Sequence, residues 1–272
     1  MPVTLSHIQW LKHTGKTLVT TEGKHIEMWE FEHCNDDTIL SEWAKHFRNH
    51  YCLDNEIDYF REGYKYNRAE YLNEIKFPDK SIAPGPSIRA GDFGEILVSD
   101  FLEYVLKYWV PRTRYSDKTI RNESTKGSDI IGFKIINPSS PSHTDELSIF
   151  EAKTQFSGKK PTARLQDAID DSIKDQLRKA ESLNAIKQRL FYKGAIREAN
   201  IITRFQNKED RPYNEINGSV AIINSNLLDE SMLINSKVSH HPNKDNLILI
   251  VISGENLMGL VTELYRRAAD EA

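Results

Sequence analysis

Apolar residues concentrate most clearly in two neighbouring runs near the middle of the chain. Residues 129–136 read Asp-Ile-Ile-Gly-Phe-Lys-Ile-Ile and residues 147–153 read Leu-Ser-Ile-Phe-Glu-Ala-Lys. Both are rich in β-branched and aromatic side chains and predict strands. Between them, 137–146 holds two prolines and several Ser, Thr and Asp residues, which is loop chemistry. Two strands joined this way are expected to pair as an antiparallel hairpin. Alternation then places Leu147, Ile149, Glu151 and Lys153 on one face and Ser148, Phe150 and Ala152 on the other. Asp129, at the start of the partner strand, is positioned to lie opposite Glu151 and Lys153.

The rest of the chain follows the same two periods. Residues 17–20 and 25–31 predict strands around a turn at Glu22-Gly23. Asp36 and Asp37 predict the start of a helix through Ile39, Trp43, Phe47 and Tyr51. A second helical stretch, 55–75, carries Tyr59, Phe60, Tyr64, Tyr66 and Tyr71, a pattern that suits a core face better than a base-stacking platform. Residues 77–87, with Pro78, Pro84 and Pro86, predict a linker. A helix over 88–109, opened by Gly91 or Asp92, presents Phe93, Ile96, Leu97, Phe101, Tyr104, Val105 and Tyr108. Residues 111–115 predict a short strand ahead of the hairpin, and 163–190 predict one long helix. Two further strands are expected at 219–224 and 246–253, with irregular chain at 204–217 and 235–246. A final helix runs through Leu257, Leu260, Val261 and Leu264.

Composition narrows the class. The 272 residues are 39% hydrophobic and 28% charged, as in an ordinary globular protein. No apolar run has the length of a membrane span, no signal-peptide pattern opens the sequence, and Cys34 and Cys52 are its two cysteines. These features predict a cytoplasmic location. Charge is uneven: residues 1–88 carry 10 Lys/Arg against 14 Asp/Glu, a balance of −4, whereas 153–197 carry 11 against 5, a balance of +6. The basic stretch begins at Lys153, where a phosphate backbone would need counter-charge, although a solvated helix face reads the same way.

The hairpin brings together residue types suited to metal-dependent phosphodiester hydrolysis. Mg²⁺, or Mn²⁺, takes hard oxygen ligands; Asp129 and Glu151 would supply carboxylates and Ala152 its backbone carbonyl. Lys153 would orient the attacking water and offset charge on the phosphorane. The bland alternative makes Asp129 a turn residue and Glu151–Lys153 an exposed pair. Glu95 has two readings: a capping-box partner of Asp92, or an extra carboxylate of the metal site. Lys159, Lys160, Arg164 and Arg114 are candidate nucleic-acid contacts. His46 and His50, four apart on one helix with His33, Cys34 and Cys52 near in sequence, could form a zinc site, but lack a zinc-binding motif. Asp92-Phe93-Gly94 has no surrounding kinase motifs, and no Walker A, Gly-x-Ser-x-Gly or dinucleotide fingerprint occurs. No small-molecule cofactor is expected.

The order helix with Glu95, strand, Asp129 strand, Glu151-x-Lys153 strand, long helix, further strand resembles the PD-(D/E)XK nuclease core over roughly residues 89–225. Ser128 stands where that motif has proline. The resemblance implies an α/β fold with a restriction-endonuclease-like core: helix, three-stranded antiparallel meander, helix, further strands. It implies metal ligation by Asp129 and Glu151, a catalytic Lys153, and a less regular role for Glu95. A division into an N-terminal α+β region (1–88), suited to partner docking, and a nuclease-like domain (89–272) follows.

The segments Arg89-Ala-Gly-Asp-Phe-Gly-Glu95-Ile-Leu, Lys126-Gly-Ser-Asp129 and Phe150-Glu-Ala-Lys153-Thr-Gln155 are similar to those of the HamA family, the nuclease subunits of Hachiman antiphage defence. That likeness implies a DNA-cutting effector restrained by a superfamily 2 helicase, HamB, until infection or DNA damage releases it. A stand-alone restriction-type endonuclease and a catalytically inactive binding module of the same fold are the alternatives.

Overall fold

A computed structural model describes residues 5–125, 127–137 and 140–272. A single 3-10 turn (Ser6–Trp10) leads into strands β1 (Leu11–Val19) and β2 (His25–Phe31), then helices α1 (Asp37–Tyr51), α2 (Ile57–Arg61), α3 (Arg68–Tyr71) and α4 (Gly85–Asp100). Strands β3 (Ile130–Lys134) and β4 (Glu146–Gln155) follow, then helices α5 (Arg164–Ser172), α6 (Asp175–Tyr192) and α7 (Ile196–Phe205). The chain closes with β5 (Asn214–Asn224), α8 (Glu230–Ile234), β6 (Leu247–Gly254) and α9 (Leu257–Asp270). The six strands form one sheet in the order β1-β2-β6-β5-β4-β3. Its four inner strands are parallel, and both edges are antiparallel, β1 on β2 and β3 on β4. The fold is the expected mixed α/β class.

Helices cover both faces, so the inner strands are apolar on both sides. On one face α1, α4 and α9 pack over Phe150, Val220, Ile222, Ile250 and Ile252. On the other, α5 and α8 cover Ala221, Ile223, Leu249 and Val251, while α6 and α7 cover Ile131, Phe133, Leu147 and Ile149. Helix α4 approaches the sheet closely because Gly94 has no side chain: a Cβ there would lie 2.4 Å from Thr154 Cγ2. Gly218 on β5 likewise makes room for the Phe150 ring, which a Cβ would meet at 2.2 Å. Together they set the height of α4, and hence of Glu95, over β4.

The hairpin forms as the alternation predicts, with Ile130 opposite Phe150 and Ile131 opposite Ile149. Asp36 caps α1, accepting from the Thr38 and Ile39 amides at 3.0 and 3.1 Å. Other boundaries differ for physical reasons. The meander loses its first strand: only Trp109 bridges to Phe133, and Pro111 cannot donate a ladder hydrogen bond. The single helix expected over 163–190 breaks at Ile173–Lys174 into α5 and α6. The stretch 55–75 is split at Lys65, which has a φ of +57°, and restarts at Asn67 through a capping box with Glu70. Helix α4 starts at Gly85, with Pro86 in its first turn, instead of at Gly91 or Asp92. β1 begins at Leu11, not 17, since its exposed polar residues hide the period; β5 begins at Asn214, inside a stretch expected to be irregular. Among the described residues, no helix is long and apolar enough to cross a membrane.

Candidate active site

The end of the β3–β4 hairpin gathers the acidic residues singled out in the sequence. The ladder ends there with Ile130 opposite Phe150, so Asp129 stands one step beyond it, alongside Glu151. The Ala152 amide points to Asp129 Oδ2 at 3.4 Å. N–H and C=O of one strand residue face the same neighbour, so the Ala152 carbonyl turns to this edge as well. Lys153 Nζ lies 2.6 Å from Glu151 Oε1 and 2.7 Å from Asp171 Oδ2. Asp171, near the end of α5, also pairs with Lys174. It carries no sequence signal of its own; only the packing of α5 on β4 brings it here.

Glu95 enters from α4, on the opposite face of the sheet. Because α4 begins at Gly85, Asp92 is well inside the helix and cannot form a capping box with Glu95. Asp92 instead accepts from the Tyr51 hydroxyl at 2.7 Å and from Lys118 at 2.9 Å. Arg114, expected among phosphate contacts, turns inward. Its Nε lies 2.8 Å from Glu95 Oε2, an ion pair without an aligned hydrogen bond, and its Nη2 donates to Asp129 Oδ1 at 2.8 Å. The guanidinium also donates to the carbonyls of Ser128 and Thr125. The Tyr115 hydroxyl donates to Glu95 Oε2 at 2.5 Å.

The electrostatics show a site short of positive charge. Burial, reinforced by the Asp129 charge, pushes the Glu151 carboxyl up to about 9 despite Lys153 beside it. Burial, opposed by Arg114 and reinforced by Asp129 and Asp92, pushes Glu95 up to about 8. Lys153 is half-buried, which lowers its proton affinity, yet Glu151 and Asp171 raise its ammonium above the ordinary lysine range. A further carboxyl, Asp175 at the start of α6, is fully buried; neither of its oxygens has a well-aligned hydrogen bond, and the Ser128 hydroxyl is its one polar neighbour close enough to favour the charge. Burial lifts it to about 6, the Ser128 side chain offsetting only part of this, and its charge acts on Glu151. Clustered hard oxygens, two of them buried without a well-aligned hydrogen bond, fit a divalent cation of the Mg²⁺ type.

Of the remaining sequence candidates, Lys159 and Lys160 are exposed on the loop after β4, while Arg164 opens α5 and pairs with Asp167 at 2.9 Å. Gln155 pins that loop: its Nε2 donates to the Lys160 carbonyl at 2.8 Å, and its Oε1 accepts from the Thr162 amide and hydroxyl at 3.0 and 2.7 Å. Lys126, which opens the Lys126-Gly-Ser-Asp129 turn, lies outside the described residues. A cavity of about 300 Å³ is lined by His50, Arg112, Arg114 and Asp129, with Ser182 and Ile186 also on its wall.

The histidines considered for zinc belong to a separate network. His46, His50 and Asp100 place ligand atoms within 4.8 Å of one another, but neither cysteine joins them. Asp100 already accepts from His7 at 3.0 Å and His46 at 2.9 Å, and Arg112 lies 2.7 Å away. The half-buried Arg112 guanidinium thus neutralises the carboxylate that zinc would need.

The sequence matches the model of the HamA family over residues 6–268. No curated protein matches it.

Proposed function

The chain belongs to the HamA family, and with it to Hachiman antiphage defence; we propose that it is a divalent-metal-dependent DNA nuclease of the PD-(D/E)XK type, the effector of that system. The observation that carries this reading is the meeting of Asp129, Glu151 and Lys153 at one end of the β3–β4 hairpin, on one face of the sheet. Asp129, Glu151 and the Ala152 carbonyl would hold Mg²⁺ or Mn²⁺. When bound, such an ion supplies Lewis acidity to the phosphodiester and to the attacking water.

The protein's own groups do the rest. Lys153 keeps its proton at neutral pH, since Glu151 and Asp171 both stabilise the ammonium. It therefore acts as a fixed positive charge toward the phosphorane, and not as a base. Asp171 holds that ammonium in place from α5. Lys159, Lys160 and Arg164 border the site and would follow the DNA backbone. The acidic 1–88 region is poorly suited to DNA and better suited to a basic protein surface; we assign it to docking a superfamily 2 helicase that restrains cleavage.

The test is supercoiled plasmid incubated with the purified chain and Mg²⁺ or Mn²⁺, alone and with the helicase encoded beside it. The expected result is nicking or degradation by the chain, loss of cleavage in Glu151→Ala and Lys153→Ala, and slower cleavage of undamaged plasmid in the complex. Absence of cleavage with either metal, alone or in complex, would overturn the nuclease assignment. Equal cutting by the free chain and the complex would overturn restraint alone.

A further inference from the structure

Arg114 occupies an unusual place for a basic residue beside a nuclease site. It is not presented to a phosphate. Its guanidinium spans two carboxylates from opposite faces of the sheet, Glu95 of α4 and Asp129 of the hairpin, at 2.8 Å from each. Two backbone carbonyls, Ser128 and Thr125, fix the fork in that orientation. The arginine engages Asp129 through Oδ1, leaving Oδ2 toward the Ala152 amide. A protein cation thus engages one edge of the Asp129 carboxylate, while the other edge has only the long contact from the Ala152 amide and keeps lone-pair capacity for a cation.

Resting on the nuclease reading above, we propose that Arg114 takes the place of a second divalent ion, so that the site binds one metal, held by Asp129 and Glu151, with Glu95 serving Arg114 instead of the metal. Charge counting supports this. When all are ionised, as cation binding requires, four carboxylates crowd the site (Glu95, Asp129, Glu151 and Asp175), against two half-buried cations, Arg114 and Lys153. Asp92 and Asp171 have additional cations, Lys118 and Lys174, and Arg178 near Asp175 is exposed. The difference is two negative charges, which one divalent ion neutralises. A second ion would leave the buried cluster with two excess positive charges, which desolvation opposes. Asp175, buried with no well-aligned hydrogen bond and only the Ser128 hydroxyl near it, is an independent sign that the cluster takes a cation on the Glu151 side. Arginine suits the other side because its planar fork meets both carboxylates and both carbonyls at once, which a lysine cannot do.

The experiment counts Mn²⁺ bound per chain by electron paramagnetic resonance of the free ion, using the full chain without DNA, with circular dichroism to check folding. Wild type is expected to bind one ion, Arg114→Lys one, and Arg114→Met two. Glu95→Gln, which keeps the side-chain shape, is expected to hold the single ion within threefold of the wild-type affinity. Two ions on wild type, or none, would overturn this inference while leaving the nuclease reading to the plasmid assay. One ion on a folded Arg114→Met chain at unchanged affinity would also overturn it. Should Arg114→Met fail to fold, Glu95→Gln decides alone: a loss of tenfold or more would make Glu95 a metal ligand and the inference wrong.

Discussion

Lys153 and Asp171 form an ion pair 2.7 Å long that ties β4 to the end of α5. The pair holds the ammonium against Glu151 and raises its proton affinity. Its expected kinetic signature is graded. Lys153→Ala should lower plasmid cleavage by about 10²–10³-fold, the range for losing one transition-state donor. Asp171→Asn leaves the lysine in place with one carboxylate fewer, and should cost about tenfold, or ~1.4 kcal/mol of barrier. Equal losses in the two variants, measured as initial nicking rates, would show that Asp171 acts on more than the lysine.

The close contact of α4 with β4 gives a second expectation. Gly94→Ala would place a Cβ 2.4 Å from Thr154 Cγ2 and 3.2 Å from Ile222 Cδ1. Overpacking of this kind costs about 1–3 kcal/mol. Thr154→Ser removes the methyl group that obstructs, so the double variant should regain at least half the loss in urea unfolding. Additive losses would place the strain elsewhere.

Buried His50 predicts a pH dependence of stability. Burial, then the charges of Arg112 and His46, hold its imidazole well below the ordinary range. The unfolded chain binds that proton at about 6.5 while the folded chain does not. Its contribution is therefore complete above about pH 7 and is lost as pH falls from there toward the folded value. His50→Gln should flatten the decline between pH 7 and 5 by up to ~1.4 kcal/mol per pH unit. His7, also lowered by burial, keeps part of the slope. Identical slopes for variant and wild type would contradict this account.

Docking can be tested without deletion, since β2 is hydrogen-bonded along β6 and removing it would open the core. Glu30, Glu32 and Glu42 are exposed acidic residues within the 1–88 region. Reversing all three to lysine should weaken helicase association by about tenfold or more, on the order of 1.4 kcal/mol, and make it less salt-sensitive, with metal binding unchanged. Unaltered affinity would move the docking surface elsewhere.

What could be read from the sequence follows from local chemistry. The hairpin was legible because alternation alone decides that Leu147, Ile149, Glu151 and Lys153 share a face, and its buried residues confirm it: Ile149 packs with α6 and α7, Phe150 with α4. The α1 cap was legible because Asp36 bonds its own helix. The start of α4 was not, because the prolines that suggest a linker also suit a first helical turn. The inward turn of Arg114, the arrival of Asp171 and the burial of Asp175 depend on how helices cross the sheet. No spacing within the sequence encodes those contacts.

If the loop after β4 meets DNA as proposed, Gln155 links that packing to substrate binding. It is nearly fully buried at the end of β4, two residues beyond Lys153, and it holds the following loop at the Lys160 carbonyl and at Thr162. The loop carries the exposed Lys159 and Lys160, the proposed DNA contacts. A flexible loop would have to lose conformational freedom on meeting DNA; one pinned by Gln155 has lost much of it already. Gln155→Ala should therefore weaken binding of a short duplex by about tenfold, ~1.4 kcal/mol, leaving the salt dependence as in wild type because both lysines remain. Replacing Lys159 and Lys160 with Gln should instead lower the slope of log affinity against log salt by up to about two. Fluorescence anisotropy over a salt series, in Ca²⁺ to limit cleavage, separates the two effects. A reduced slope in Gln155→Ala would mean that the glutamine positions the charges themselves, and an unchanged slope without Lys159 and Lys160 would remove this loop from the DNA path.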